Sequence, residues 1–336
     1  MTSFDPVALA AVIGECAAVD RPLGALTTYK VGGRAAVLAA PRTVDELLRV
    51  ASVAREAGAP VLVVGRGSNM LVCDDGFAGV AVTLGALVLS GSGSGSGRAD
   101  GITIHPAGSD GRVAVVAGGA VALPVLARRT ASAGVVGFEW AVGVPGSVGG
   151  AVRMNAGGHG SDMAASLVEA DVVDLLRGER RSVVAERLGL RFRGSALADH
   201  QVVVAARLDL AQGDPAEAEE HLAAIVKWRR ENQPGGQNAG SVFVNPVPGE
   251  LAAAQVIDSL GLRGLRIGGA SVSDKHANFI QADPGARAAD VYAVMCRVRE
   301  VVERETGRRL RSEVRLVGFP PLADDGDDDL HTGVDW

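Results

Sequence analysis

The chain has 336 residues, long enough for two or three domains. Hydrophobic residues make up 47% and charged residues 21%, a globular balance that excludes a chain too polar to build a core, while aromatics at 4% leave that core to Ala, Val and Leu. The net charge of −6 speaks against a general nucleic-acid binder but leaves room for a local basic pocket.

In chain order, the opening segment up to Gly24 lacks the basic start and long apolar run of an export signal. No stretch of about 18 uncharged apolar residues follows, so no membrane span is expected. Residues 36–40 read as a buried strand. Thr43-Val-Asp-Glu46 reads as a capping box, followed by a helix with Leu47, Leu48, Ala51 and Ala54 on one face and Gly58 as its stop. Val61–Gly65 is a second buried strand, which completes a βαβ unit with a parallel pair. Further strands are expected at 79–89 and 113–117. The Ser/Gly-rich stretch 90–101 between them reads as a solvated loop expansion with no phosphate-binding role. A helix is expected over 121–134, strands at 166–174 and 201–210, and helices at 216–232, 250–261 and 286–307. A strand at 312–319 precedes an acidic tail expected to be disordered. Cys16, Cys73 and Cys296 show no pairing or metal-site spacing, so no disulfide framework or metal site is expected and a reducing, cytoplasmic setting fits.

Two segments look built for a ligand. Val64-Gly-Arg-Gly-Ser-Asn69 follows a buried strand, and its glycines let backbone amides approach an anion. Gly137–Gly160 holds eight glycines among 24 residues, yet also Phe138, Trp140 and Met154, so it is no linker. A buried irregular segment of this kind needs partners for its backbone groups, and a large polar cofactor supplies them. Taken singly, a tight turn and a glycine-rich bend are the ordinary alternatives.

Together the two segments, G-x-G-S-N and G-x-P-G-S-x-G-G-A-x-x-M-N-A-G, resemble the FAD-binding domain of the vanillyl-alcohol-oxidase type. Within it they resemble most closely the UDP-N-acetylenolpyruvoylglucosamine reductase family, whose first motif is similar to Leu26–Gly33. No G-x-G-x-x-G opens a helix, so a Rossmann fold is excluded. The resemblance extends to GLRFRGS (189–195), AGSVFVNP (239–246), Leu262–Ala270, Asp274–Ile280 and SEVRLVG (312–318), so it runs from about residue 24 to 319.

The resemblance implies Arg193 as the active-site arginine with Ser195 as its companion, Ser241 as proton donor and Glu313 as catalytic carboxylate. It implies FAD contacts from Gly65, Gly67, Ser68, Asn69, Gly143, Pro145, Gly146, Ser147, Gly149, Asn155 and Gly157. Substrate contacts are expected from Asn245, Arg263 and Lys275, with Arg229 or Arg230 as further candidates for the diphosphate. The implied activity is NADPH-dependent, FAD-mediated reduction of UDP-N-acetylglucosamine enolpyruvate to UDP-N-acetylmuramate in peptidoglycan precursor synthesis, with the UDP-sugar and NADPH as partners and no obligate protein partner.

The implied fold class is α+β, with a two-part FAD-binding domain and a C-terminal α/β substrate-binding domain. Its boundaries are expected at 1–79 plus 311–319 for the first FAD-binding part, 80–212 for the second, 213–310 for the substrate domain and 320–336 for the tail. The short stretch between residues 211 and 241 resembles the family's shorter subtype. His159 stands where the family has tyrosine, Val244 where it has lysine, and Asn232 where a lysine is often found. These departures keep open a paralogue that reduces a different enolpyruvyl or UDP-sugar substrate.

Overall fold

The computed structural model describes residues 4–85, 101–247, 249–320, 322 and 334. The readings of stretch 90–100 and of most of the acidic tail fall outside these residues.

Asp5 starts helix α1 (Pro6–Ile13) by accepting from the Val7 amide at 2.8 Å, with Pro6 in the first turn where its missing N–H costs nothing. Strand β1 (Ala17–Pro22) pairs antiparallel with β2 (Arg34–Ala39). Thr43 caps α2 (Val44–Glu56) through the Glu46 amide at 3.1 Å, while the Glu46 carboxylate reaches back to the Arg42 amide at 2.7 Å. The return bond thus falls one residue further out than a capping box places it. Leu47, Val50, Ala51 and Ala54 form the helix's buried face. Three strands follow: β3 (Val61–Val64), β4 (Met70–Val72) and β5 (Phe77–Thr83). The sheet order is β1-β2-β5-β3, so β2 and β3 are parallel but not adjacent. Strand β5 takes the central place because Val80, Ala81 and Val82 are fully buried, which a strand covered on both faces requires.

The middle of the chain folds into an antiparallel sheet. It contains β6 (Ile102–Ile104) and β7 (Arg112–Gly118), then helix α3 (Leu123–Ser132), the short β8 (Val135–Val136) and helix α4 (Val148–Met154). A two-stranded ribbon of β9 (Gly157–Gly158) and β10 (Ser161–Asp162) leads to β11 (Leu167–Asp174), β12 (Glu179–Val184) and β13 (Gln201–Gln212). The order is β12-β11-β13-β7-β6, with β8 also pairing β13. Helix α4 lies inside the glycine-rich run, where the sequence shows no helical periodicity. It forms because Ser147 caps it through the Gly150 amide at 3.3 Å. Gly149 lets it lie against β13, since a Cβ there would meet the Val203 carbonyl at 2.7 Å.

Helix α5 (Pro215–Asn232) buries Ala218, Leu222 and Ile225 in the same cluster as Phe138, Trp140 and Leu126. Its apolar face therefore joins the middle core, so a boundary at residue 213 separates this helix from the residues it packs against. Helix α6 (Ala253–Ser259), strands β14 (Arg266–Ile267), β15 (Ala270–Val272) and β16 (Ile280–Ala282), and helix α7 (Ala288–Thr306) form the third unit. The spacing of Ala289, Val291, Val294, Met295, Val298 and Val302 predicts one buried face on α7, and all of these but the half-buried Ala289 are buried there. The last strand, β17 (Arg315–Val317), returns to pair parallel with β4.

Of the residues read as the tail, Pro320, Leu322 and Val334 are described: Pro320 is exposed, Leu322 is buried against the α7 cluster and Val334 in the middle core. The Gln201 amide grips Val334 by accepting from its N–H at 2.8 Å and donating to its carbonyl at 2.9 Å. Leu322 and Val334 thus both have apolar neighbours.

Asp74 fastens the first unit to the third. Its carboxylate accepts from the Ala288 and Ala289 amides at 2.9 and 3.1 Å, and so caps α7 from 214 residues away. Asp74→Ala should lower stability by about 1 kcal/mol through loss of this cap. Urea titration would measure it, and an unchanged midpoint would show that the contact is incidental.

Candidate active site

The three units meet around a cavity of about 520 Å³, in the size range of a small-molecule site. Its floor is the turn after β3. Gly67 adopts φ +60° and lies so close to the neighbouring loop that a Cβ would meet the Leu26 carbonyl at 2.4 Å. A Cβ on Gly65 would meet the Ser147 hydroxyl at 2.8 Å. Among the described residues the amides of Arg66, Gly67 and Ser68 donate to no protein acceptor. They are therefore available to an anionic ligand, as a backbone nest is.

Of the expected cofactor residues, Gly65, Gly67, Ser68, Asn69, Pro145, Gly146, Ser147 and Gly157 line the cavity. Gly143, Gly149 and Asn155 do not, and each has a structural place instead. Gly143 leaves room for the Arg229 side chain, whose Cδ would lie 2.1 Å from an added Cβ. Gly149 seats α4 on β13. Asn155, at φ +38°, accepts from the Ala164 amide at 2.9 Å and donates to the Arg191 carbonyl and the Asp162 carboxylate, both at 3.1 Å.

The three expected catalytic residues come together. Arg193 sits at φ +58° in a tight turn closed by reciprocal backbone bonds between Arg191 and Gly194. Its Nε lies 3.4 Å from Glu313 Oε1, and its guanidinium lies over the Phe192 ring at 5.2 Å. Glu313 is held through its own backbone: its carbonyl accepts from the Asn69 side-chain amide at 2.8 Å, and its N–H donates to the Val242 carbonyl at 2.8 Å. That second bond places it beside Ser241. The loop carrying Ser241 is clamped by buried Asn278, which donates to the Phe243 carbonyl at 2.8 Å and accepts from the Phe243 amide at 3.0 Å. Ser195 does not reach the cavity. It is fully buried and donates to the Arg153 carbonyl at 2.7 Å.

The cavity also contains charges that motif reading left out. Arg66, Arg153 and Arg315 line it together with Arg193 and Arg229, while Glu313 is the only carboxylate among the lining residues. Asp199 links two of these arginines from outside the cavity, 2.5 Å from Arg153 and 2.7 Å from Arg315. Loss of solvent lowers the pKa of the Arg229 guanidinium. Among the described residues no carboxylate pairs with it. An acidic protein thus presents a basic pocket suited to phosphate and carboxylate groups.

The expected substrate residues lie elsewhere. The Asn245 side chain accepts from the Ala253 amide at 3.1 Å and starts α6. Arg263 pairs with Asp258 at 2.5 Å and donates to the Asp274 carbonyl at 2.6 Å. Lys275 donates to the Arg230 carbonyl at the end of α5, where a cation suits the helix terminus. None of the three lines the cavity.

Burial pushes the Glu313 carboxyl above the ordinary carboxylate range, against the opposing pull of Arg193 and then Arg311. Its side chain remains about 20% exposed, so exchange with solvent stays open. A carboxyl in this state can hold a proton beside a permanent cation, which suits a group that meets developing negative charge.

Comparison with known proteins identifies similar chains. The family model for the C-terminal domain of UDP-N-acetylenolpyruvoylglucosamine reductase matches residues 232–317, and that for an FAD-binding domain matches residues 35–183. The reductase of that name from Synechococcus sp. (strain RCC307) is 40% identical over 302 residues, covering 89% of this chain and 93% of that one. The reductase from Gloeobacter violaceus is 41% identical over 303 residues, covering 88% and 94%. The crystal structure of the Thermus caldophilus reductase superposes with a TM-score of 0.71 at 32% identity, covering 90% of this chain and 98% of that one.

Because the folded-state pKa of Glu313 lies above the unfolded one, its proton is bound more tightly in the folded chain. That stabilisation is full below the unfolded value and is lost as pH rises through the folded value. Denaturation of wild type and Glu313→Gln from about pH 4 to pH 8 should show wild type losing ground to the variant as pH rises. A pH-independent difference would mean the carboxyl titrates as it does in water.

Proposed function

The chain belongs to the UDP-N-acetylenolpyruvoylglucosamine reductase family, and on that premise we propose that it reduces UDP-N-acetylglucosamine enolpyruvate to UDP-N-acetylmuramate with NADPH, for peptidoglycan precursor synthesis. The observation that carries this reading is the Arg193–Glu313 pair beside Ser241, in a cavity floored by the Gly65–Asn69 turn. The unbonded amides of that turn and the close approach at Gly65 and Gly67 fit an FAD diphosphate. Bound FAD would supply a centre that accepts hydride from NADPH and passes it to the enolpyruvyl carbon. Three free thiols suit a reducing cytoplasm.

The chain's own residues do the rest. Hydride arriving at the methylene carbon of the enolpyruvyl ether pushes negative charge onto the substrate carboxylate. The Arg193 guanidinium holds that carboxylate. Protonated Glu313 donates to the same developing charge. Ser241 then gives its hydroxyl proton to the carbon bearing the ether oxygen, which completes the addition of one hydride and one proton across the double bond. Serine is a weak acid alone, so solvent must restore that proton through the open side of the cavity.

A second reading, a paralogue acting on a different enolpyruvyl or UDP-sugar substrate, draws support from Asn245, Arg263 and Lys275, which are committed to protein partners. Anaerobic NADPH should bleach the visible flavin band, and the enolpyruvyl UDP-sugar should then restore it. Bleaching without return would remove this substrate and leave the paralogue. In Ser241→Ala the bleaching should persist while the return slows by about 10² or more. An unchanged return rate would dismiss Ser241 as the proton donor.

A further inference from the structure

At the cavity mouth stands an aromatic pair that the proposed chemistry does not use. Trp228, on the last turn of α5, is 46% exposed although it borders the cavity. The His159 ring meets it in a T-shaped contact, with ring centres 5.1 Å apart and planes at 88°. Arg229, next in sequence, also lines the cavity, and among the described residues it has no carboxylate partner. The turn bearing Trp228 is held firmly. The Asn232 side chain donates to the Trp228 carbonyl at 2.8 Å, the Gln233 amide donates to the Arg229 carbonyl at 2.8 Å, and Lys275 donates to the Arg230 carbonyl. The other exposed aromatic beside the site, Phe192, already has the Arg193 guanidinium over its ring. Loss of solvent and the Arg229 charge lower the His159 pKa, so it offers a neutral ring near neutral pH.

A fixed, exposed indole next to an unpaired cation is complementary to a flat heterocycle that carries an anionic group. We propose that Trp228, propped by His159, is a stacking shelf for the base of a nucleotide ligand, with Arg229 attracting that ligand's phosphate. The shelf rests on the reading that this cavity turns over nucleotide ligands. The same chemistry is offered by the uracil of the UDP-sugar and by the rings of NADPH.

Calorimetric titration of the flavin-loaded protein with UDP, and separately with NADP⁺, distinguishes the two. In Trp228→Ala, Kd for one of them should rise roughly tenfold. Trp228→Phe should recover most of that loss, with flavin content unchanged in both variants. The nucleotide affected identifies the base on the shelf. Wild-type affinity for both nucleotides in Trp228→Ala would overturn the shelf alone, and so would a Trp228→Phe variant as weak as Trp228→Ala. A wild-type protein that binds neither nucleotide would overturn the functional reading and the shelf together.

Discussion

Asn69 donates its side-chain amide to the carbonyl of Glu313 at 2.8 Å, across 244 residues of chain, and the arrangement of the site depends on this bond. Asn69 ends the ligand-facing turn, and Glu313 enters the strand that pairs with the residues following that turn. The carboxylate is thereby fixed relative to the floor of the cavity. Two buried asparagines repeat the device. Asn278 clamps the loop carrying Ser241, and Asn155 ties the α4 end to the turn carrying Arg193. An amide side chain suits this task because it has both donors and an acceptor, so one residue can fasten two pieces of backbone. Arg193, Ser241 and Glu313 sit on loops, yet each loop is tied by a partner distant in sequence.

Several glycines among the described residues answer the same demand for close approach. In the first unit, a Cβ on Gly24, Gly32 or Gly33 would lie 2.2 to 2.3 Å from a carbonyl oxygen of a neighbouring segment. None of these lines the cavity, so the opening motif works through packing and brings Leu26–Gly33 against the Gly67 turn. Gly65 and Gly67 meet that packing demand and border the ligand space as well. Sequence alone does not separate the two uses, because a missing side chain looks the same whether backbone or ligand occupies the space.

That limit marks what was legible. The buried face of α7 was readable because its period matches its burial. That Arg193, Ser241 and Glu313 border one cavity was readable because their motifs keep their order. The interposition of β5 between β2 and β3 was not, since both parallel arrangements have the same local pattern. Helix α4 was hidden by glycines that suit packing more than helix propensity. Basic side chains were the least legible. Arg263 and Lys275 look like phosphate ligands in a motif, but nearby acceptors hold them, while Arg153 and Arg315 reach the cavity from motifs in which other residues were singled out. The destination of a long cation is set by which acceptors lie within its reach, and those are tertiary neighbours.

Backbone strain points to the same place. Five non-glycine residues among those described have positive φ, and three of them, Asn155, His159 and Arg193, lie on the segments bordering the cavity. Such conformations cost on the order of 1 kcal/mol or more each and persist only where surrounding structure over-determines them. At Asn155 the side chain's bonds to Asp162, Ala164 and Arg191 do so. At Arg193 the reciprocal bonds between Arg191 and Gly194 close the turn, and the ion pair with Glu313 engages its side chain. A relaxed turn at Arg193 would carry the guanidinium away from Glu313. Burial would then raise the carboxyl pKa unopposed by its first cation, leaving Arg311 as the remaining counterweight. The strained turn therefore does more than aim a side chain: by keeping Arg193 in place, it limits how far burial can push Glu313 toward its neutral form.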